Sequence, residues 1–267
     1  MENIAHVAKN EEGAYRLHSL LEHLNKTAKK ANEFASLFDA SEWAEIAGLW
    51  HDLGKFLPKW QNYLQKASGY EENAHIEGFS NRPNHSTAGA VLAFKQFGQC
   101  GLPKLKADAL ARIIGYIVAG HHAGLPDWDQ DYAGGDLLNR IYKDPLNGLF
   151  DLRDIEILEK IDETNVFMSK SLPKSSPLNV KNNEEFQKSK EHLHLWVRML
   201  FSCLVDADFL DTERFMDPGK YEIRSKYPQI NELKKKFDSF INRMKSESAK
   251  TPINNERNKI LEICRKK

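Results

Sequence analysis

Apolar residues recur at intervals of three and four along several segments of this chain. Residues 15–38, 41–50, 86–97, 106–119 and 192–210 all have this spacing. It predicts an amphipathic helix in each segment, with the apolar faces packed in a common core. Alternating runs of β-branched residues are few and no repeat is visible, so we predict an all-α fold in which residues 15–38 form one long helix.

A histidine and an aspartate follow one of these helices directly. The sequence His51-Asp52-Leu53-Gly54-Lys55 comes after an apolar run that contains Trp43 and Trp50. An imidazole and a carboxylate at the end of a buried helix can bind a metal. A helix C-terminus also attracts histidine electrostatically, so the pair alone leaves a structural role open.

Further histidines and aspartates lie at or near the ends of the other predicted helices. Together with Asp52 they could hold two metal ions at one end of a helical bundle, with Asp52 as the bridge. Each taken singly could equally be an ordinary core or surface residue. The candidates are His23, His51, His85, His121, His122 and the aspartates between 206 and 211, whereas we interpret His6, His18, His75, His192 and His194 as ordinary residues.

Composition is typical of a water-soluble protein with an uneven charge distribution. The 267 residues contain 38 Lys and Arg and 38 Asp and Glu, but residues 219–267 hold 14 basic against 6 acidic residues. This basic segment and the polar loop at 169–183 are candidate contacts for an anionic partner, although a solvated basic helix also explains the basic segment. Three widely spaced cysteines argue against a disulfide framework and a cysteine zinc cage. We expect a cytoplasmic protein without membrane contact, because neither a signal peptide nor a bilayer-spanning run is present.

Taken together, these motifs resemble a known family. The sequences at 51–55, 60–64, 85–90, 119–125 and 202–213 resemble the HD nuclease domain of the CRISPR-associated nuclease-helicase of type I interference, within the HD phosphohydrolase superfamily. The resemblance runs from about residue 13 to the C-terminus. It implies an HD-domain helical bundle with metal ligands at helix ends.

The resemblance also implies a set of four ligands for each of two ions. His23, His51, Asp52 and a late aspartate would hold one ion, and Asp52, His85, His121 and His122 the other. The superfamily pattern around Ala207-Asp208-Phe209-Leu210 favours Asp208 over Asp206 as the late aspartate. Asp52 and Lys55 are the candidate catalytic residues, with Lys55 either a phosphate contact or a solvated lysine after a turn.

The function that follows is a metal-dependent nuclease that cleaves DNA, mainly single-stranded, by two-metal phosphodiester hydrolysis in type I CRISPR antiviral interference. Imidazole-rich ligation favours Mn, Fe, Co, Ni or Zn over Mg. Two alternatives remain: an HD phosphohydrolase acting on nucleotides or cyclic nucleotides, and a non-catalytic docking domain.

The resemblance further implies partners beyond this chain. We expect residues 1–267 to form a single HD nuclease domain, with the basic helices at about 219–267 leading towards a helicase domain, fused or separate. A guide-RNA surveillance complex and single-stranded DNA would be the other partners. No Gly-x-x-x-x-Gly-Lys-Ser/Thr motif is present, so ATP hydrolysis is not expected of this chain.

Overall fold

A computed structural model describes residues 2–10, 12–70, 84–127, 137–142, 172–173, 183–224 and 226–266. Helices dominate this part of the chain, which confirms the all-α class. The α-helices are α1 (Leu20–Ala35), α2 (Ser41–Trp50), α3 (Pro58–Ala67), α4 (Thr87–Gly98), α5 (Lys104–Gly120), α6 (Leu137–Tyr142), α7 (Asn183–Met216), α8 (Pro218–Arg224), α9 (Ile230–Glu247) and α10 (Pro252–Lys266). Short 3-10 helices occupy Ser36–Phe38 and Leu53–Phe56.

A two-stranded antiparallel ribbon precedes the helices. Strand β1 (Ile4–Lys9) pairs with β2 (Tyr15–Ser19), and His6 is the cross-strand partner of His18. The prediction of one helix from residue 15 to residue 38 is therefore wrong, since α1 begins at Leu20. Leu17 and Leu21, which fit the predicted apolar stripe, are 43% and 45% exposed. Pairing with β1 determines the conformation of residues 15–19, and helical spacing alone could not reveal that partner.

The core lies between α1, α2, α4, α5 and α7. Its largest fully buried side chains include Leu24, Trp50, Phe97, Ile114 and Leu200, one from each of these helices. Burial of such side chains is the main contribution to stability. The core thereby brings the C-terminal ends of α2 and α5 close to the N-terminal end of α4.

Two glycines permit this close packing. A Cβ atom on Gly54 would lie 2.3 Å from the carbonyl oxygen of His85, and one on Gly89 would lie 2.0 Å from that of Trp50. Backbone atoms cannot move aside as a flexible side chain can. Gly54 and Gly89 therefore allow the 51–54 segment to lie directly against the start of α4.

Gln61 joins the ribbon to the helices. Its side-chain amide donates hydrogen bonds to the carbonyl oxygens of Ile4 and Lys55, and its oxygen accepts one from the Ile4 amide. The residue is buried, so these bonds satisfy its polar atoms. They hold β1 next to the segment that follows Asp52.

The chain divides into two compact units, Met1–Pro218 and Gly219–Lys267. In the second unit, Arg265 pairs with Asp238 over 2.6 Å and so joins α10 to α9. The assignment of all 267 residues to one HD nuclease domain stays a prediction. Among the described helices, none combines the length and apolar character needed to cross a bilayer. His75 and most of the predicted loop at 169–183 lie outside the described residues.

Candidate metal centre

Four predicted ligands converge where α1, α2 and α7 meet, and we call them the first ligand group. His23 lies in α1, His51 and Asp52 directly follow α2, and Asp208 lies in α7. His23 Nε2 is 3.3 Å from both His51 Nε2 and Asp208 Oδ1. Asp52 Oδ2 is 3.5 Å from His23 Nε2 and 3.4 Å from His51 Nε2. The four ligand atoms therefore face one another inside the protein.

A second ligand group forms at the ends of α4 and α5. His85 precedes α4, and His121 and His122 follow α5. His85 Nε2 lies 2.7 Å from His122 Nε2 and 3.2 Å from Asp52 Oδ1, and His121 Nε2 lies 3.4 Å from Asp52 Oδ1. Asp52, His85 and His121 are buried, and His122 is exposed.

Asp52 belongs to both groups. Its Oδ2 atom faces His23 and His51, whereas its Oδ1 atom faces His85 and His121. The carboxylate is 1% exposed. One oxygen directed to each group is the arrangement that a bridging ligand requires.

The donor atoms fit a metal ion. Two ligands about 2.1 Å from an ion and at a right angle are roughly 3 Å apart, close to the separations within each group. Asp52 Oδ1 and His121 Nε2 are buried and make no hydrogen bond with the described residues. Buried polar atoms normally have a partner, and a coordinated ion would supply one. Imidazole nitrogen and carboxylate oxygen together suit transition metals.

Hydrogen bonds on the opposite side of the rings orient three of the imidazoles. The Nδ1 atoms of His51 and His121 donate to the carbonyl oxygens of Gly48 and Val118, at 2.8 and 2.7 Å. Each acceptor lies three residues earlier, in the helix that the histidine follows. His23 Nδ1 instead donates to a carboxylate. These bonds direct the Nε2 atoms of all three rings towards the centre.

Carboxylates control the protonation of the first ligand group. Burial opposes a charge on His23, but contacts with Asp208, Asp211 and Asp52 outweigh it and raise its pKa to about 10. For His51, burial is likewise outweighed by Asp52 and Asp208, and the pKa rises to about 9. Burial also opposes ionisation of Asp52, yet Lys55 and His51 hold its pKa well below the usual value. Protonated His23 and His51 are therefore paired with ionised Asp52 and Asp208 at neutral pH.

The second ligand group differs in its charge. Burial lowers the pKa of His85, and the contact with Asp52 does not compensate for it. Burial and the neighbouring His121 lower the pKa of His122 to about 3. These two imidazoles are neutral at physiological pH, the state in which histidine binds metals.

Lys55 is buried beside the centre. Its side chain is 4% exposed, and Nζ lies 2.6 Å from Asp52 Oδ2. The interpretation as a solvated lysine is therefore wrong. Lys55 also lines a cavity of about 550 Å³ next to the metal centre, which a phosphate could enter. Its role as a phosphate contact stays a prediction.

Asp206 and Asp208 differ sharply in position. Asp206 is exposed, whereas the Asp208 side chain is 16% exposed and its Oδ1 atom reaches His23 and His51. Burial opposes ionisation of Asp208, but hydrogen bonds from His23 and His51 keep its pKa well below the usual value. The geometry favours Asp208 as the ligand.

Two histidines near the centre, His6 and His18, were interpreted as ordinary residues, and the late aspartate Asp211 was a candidate that was not chosen as a ligand. His6 Nδ1 is 3.2 Å from His18 Nδ1, and His18 Nε2 is 3.4 Å from Asp211 Oδ2. The rings of His6 and His18 also pack against His23. Both histidines reach this position on the ribbon, and recognising that residues 15–19 pair with residues 4–9 would have placed them on one face.

Comparison with known families gives one match. The family described as "Cas3, HD domain" matches residues 7–196, more than half of the chain. The matched range contains six of the seven predicted ligands and ends before Asp208. No curated protein matches this chain.

Proposed function

This chain belongs to the Cas3 HD-domain family, and we propose that it hydrolyses phosphodiester bonds of DNA, mainly single-stranded, by a two-metal mechanism. Family membership makes it a metal-dependent HD-type hydrolase of CRISPR interference. The observation that carries the finer proposal is the shared Asp52, whose two oxygens face two separate histidine groups.

Each group would hold one ion. His23, His51, Asp52 and Asp208 form the first site, and Asp52 with the second-group histidines forms the other. When bound, two transition-metal ions would lower the pKa of an attacking water and stabilise charge on the phosphoryl oxygens. Imidazole-rich ligation supports Mn, Fe, Co, Ni or Zn over Mg.

The protein's own side chains would orient the DNA phosphate. Lys55 lines the cavity next to the ligands His121 and His122. Its ammonium group would attract a phosphate to the centre and retain it there. The basic character of residues 219–267 supports a nucleic-acid partner, since Lys and Arg dominate non-specific binding to phosphates.

Other partners follow from the family. A helicase domain, fused or separate, would supply single-stranded DNA, and a guide-RNA surveillance complex would define the target. The cell compartment proposed is the cytoplasm.

Cleavage assays test the proposal directly. Labelled single-stranded DNA, duplex DNA, RNA and mononucleotides are incubated with Mn, Co or Ni, with and without chelator. We expect cleavage of single-stranded DNA that chelator and Asp52→Asn both abolish, while Asp206→Asn, on the exposed side of α7, retains it. Hydrolysis restricted to nucleotides would indicate a nucleotide phosphohydrolase. A folded sample that binds no metal under any condition would indicate a docking domain.

A further inference from the structure

Two helix faces line the cavity beside the metal centre. From α3 the lining residues are Trp60, Tyr63, Leu64 and Ala67, and from α7 they are Val205, Asp208, Phe209 and Thr212. Both sets have the spacing i, i+3, i+4 and i+7, which is one side of a helix. The cavity is therefore a cleft between α3 and α7.

The lining of this cleft contains both polar and apolar side chains. Lys55, His121, His122 and Asp208 contribute the polar part, which belongs to the metal centre. Tyr63 and Leu64 on α3, with Val205 and Phe209 on α7, contribute apolar surface beside it. A ligand with an anionic group towards Lys55 and the metal centre and a flat or apolar group towards the helix faces would match this lining.

Phe209 is the most exposed aromatic side chain of this lining. It is 52% exposed although it directly follows Asp208, whose carboxylate reaches the first ligand group. Tyr63 faces the cleft from the other helix and is partly exposed. A large aromatic ring that is open to solvent beside a metal centre can stack on a planar ligand.

We propose that the cleft binds the nucleobase next to the phosphate held at the metal centre, with Phe209 and Tyr63 as the stacking surfaces. This inference rests on the proposed function, because it assigns a place to the nucleotide whose phosphodiester is cleaved. Stacking on aromatic rings is tolerant of sequence, since every base has a π-face. A cleft of about 550 Å³ is within the size range of small-ligand sites.

Binding to strands with and without bases tests the inference independently of cleavage. An eight-nucleotide thymidine strand and an abasic strand of equal length and charge are labelled and made with phosphorothioate linkages that slow hydrolysis, and their affinities are measured by fluorescence anisotropy with Mn²⁺ present. We expect the parent protein to bind the thymidine strand roughly tenfold to one-hundredfold more tightly. Phe209→Ala and Tyr63→Ala reduce this ratio and leave the affinity for the abasic strand almost unchanged.

Two further variants separate stacking from general effects. Phe209→Trp keeps an aromatic surface and should retain the ratio. Leu195→Ala removes an exposed apolar side chain elsewhere on α7, where Leu195 is 59% exposed, and should also retain it. Circular dichroism confirms that each variant is folded.

The outcomes distinguish the subsite from the nuclease. A ratio near one in the parent, or a ratio that Phe209→Ala and Tyr63→Ala leave unchanged, would overturn the inference even if DNA is cleaved. Failure to cleave DNA with a large, Phe209-dependent ratio would instead contradict the proposed nuclease.

Discussion

His23 Nδ1 donates a hydrogen bond to Asp211 Oδ2 over 2.7 Å, which leaves Nε2 of the same ring for the first ligand group. The Nδ1 atoms of His51 and His121 donate instead to backbone carbonyl oxygens, which likewise leaves their Nε2 atoms facing the centre. A carboxylate acceptor makes the imidazole more basic and a stronger metal ligand. Asp211 is 4% exposed, and it also contacts His18.

Replacing Asp211 with asparagine should weaken the first metal site. Loss of the carboxylate makes His23 less basic and permits the other tautomer, so we expect about 10- to 100-fold weaker binding of one ion. Competition with a chromogenic chelator measures the affinity. Asp206→Asn provides the control, because it makes the same change at an exposed position of the same helix. Equal affinities in the two variants would show that Asp211 does not support His23.

Asp52 and His85 should differ in how many ions their loss releases. Asp52→Ala should lose both ions, because each group loses an oxygen ligand, whereas His85→Ala should lose only the ion of the second group. Metal analysis of purified, dialysed protein gives the stoichiometry, and circular dichroism verifies folding. His194→Ala, on an exposed part of α7, serves as the histidine control. Loss of one ion from each variant would refute a shared Asp52.

Metal binding to the first ligand group should release protons. The pKa values of His23 and His51 are raised to about 10 and about 9, so at pH 7 both rings carry a second proton that an ion must displace. The apparent affinity should therefore rise with pH and level off above about pH 10. Calorimetric titration in buffers of different ionisation enthalpy measures the number of protons released. Enthalpies that do not vary with the buffer would contradict the expectation.

A methyl group on Gly54 should disturb the second ligand group. The added Cβ would overlap the backbone of His85, at 2.3 Å from its carbonyl oxygen. We expect Gly54→Ala to lower the free energy of unfolding by at least about 1–3 kcal/mol. Chemical denaturation gives this value.

The same variant should weaken the ion bound by His85 more than the ion bound by His23. Gly98→Ala is the matched control, because a Cβ there would meet nothing within 4 Å and alanine favours a helix. Similar losses of stability in Gly54→Ala and Gly98→Ala would show that overlap with the backbone of His85 is not the cause of the destabilisation.

The helical periodicity of the sequence was sufficient to predict the fold class and to place His51, His121 and the late aspartates near helix ends, whereas the choice of Asp208 came from the family resemblance. Apolar faces must meet in a core, and these polar groups lie near the ends of the helices that form it. The ribbon was not predictable in this way, because its strands lack a clear alternation of apolar and polar residues. They are stabilised by their mutual pairing and by hydrogen bonds with Gln61. Without the ribbon, nothing in the sequence places His6 and His18 beside His23.

Lys55 and Asp211 show a second limit. A lysine after a turn and an aspartate two turns beyond the core residue Leu204 are ordinarily solvated. Both are buried here because each has a charged or polar partner. Lys55 pairs with Asp52 three residues earlier, and Asp211 pairs with His23 on another helix. Partners of this kind become visible only when the helices are packed together.

Anomalous diffraction from crystals soaked in Mn²⁺ tests the central claim most directly. The account predicts two peaks on either side of Asp52, one against Oδ2 with His23, His51 and Asp208, and the other against Oδ1 with the second-group histidines. A single peak, or peaks that do not contact Asp52, would contradict the two-metal assignment.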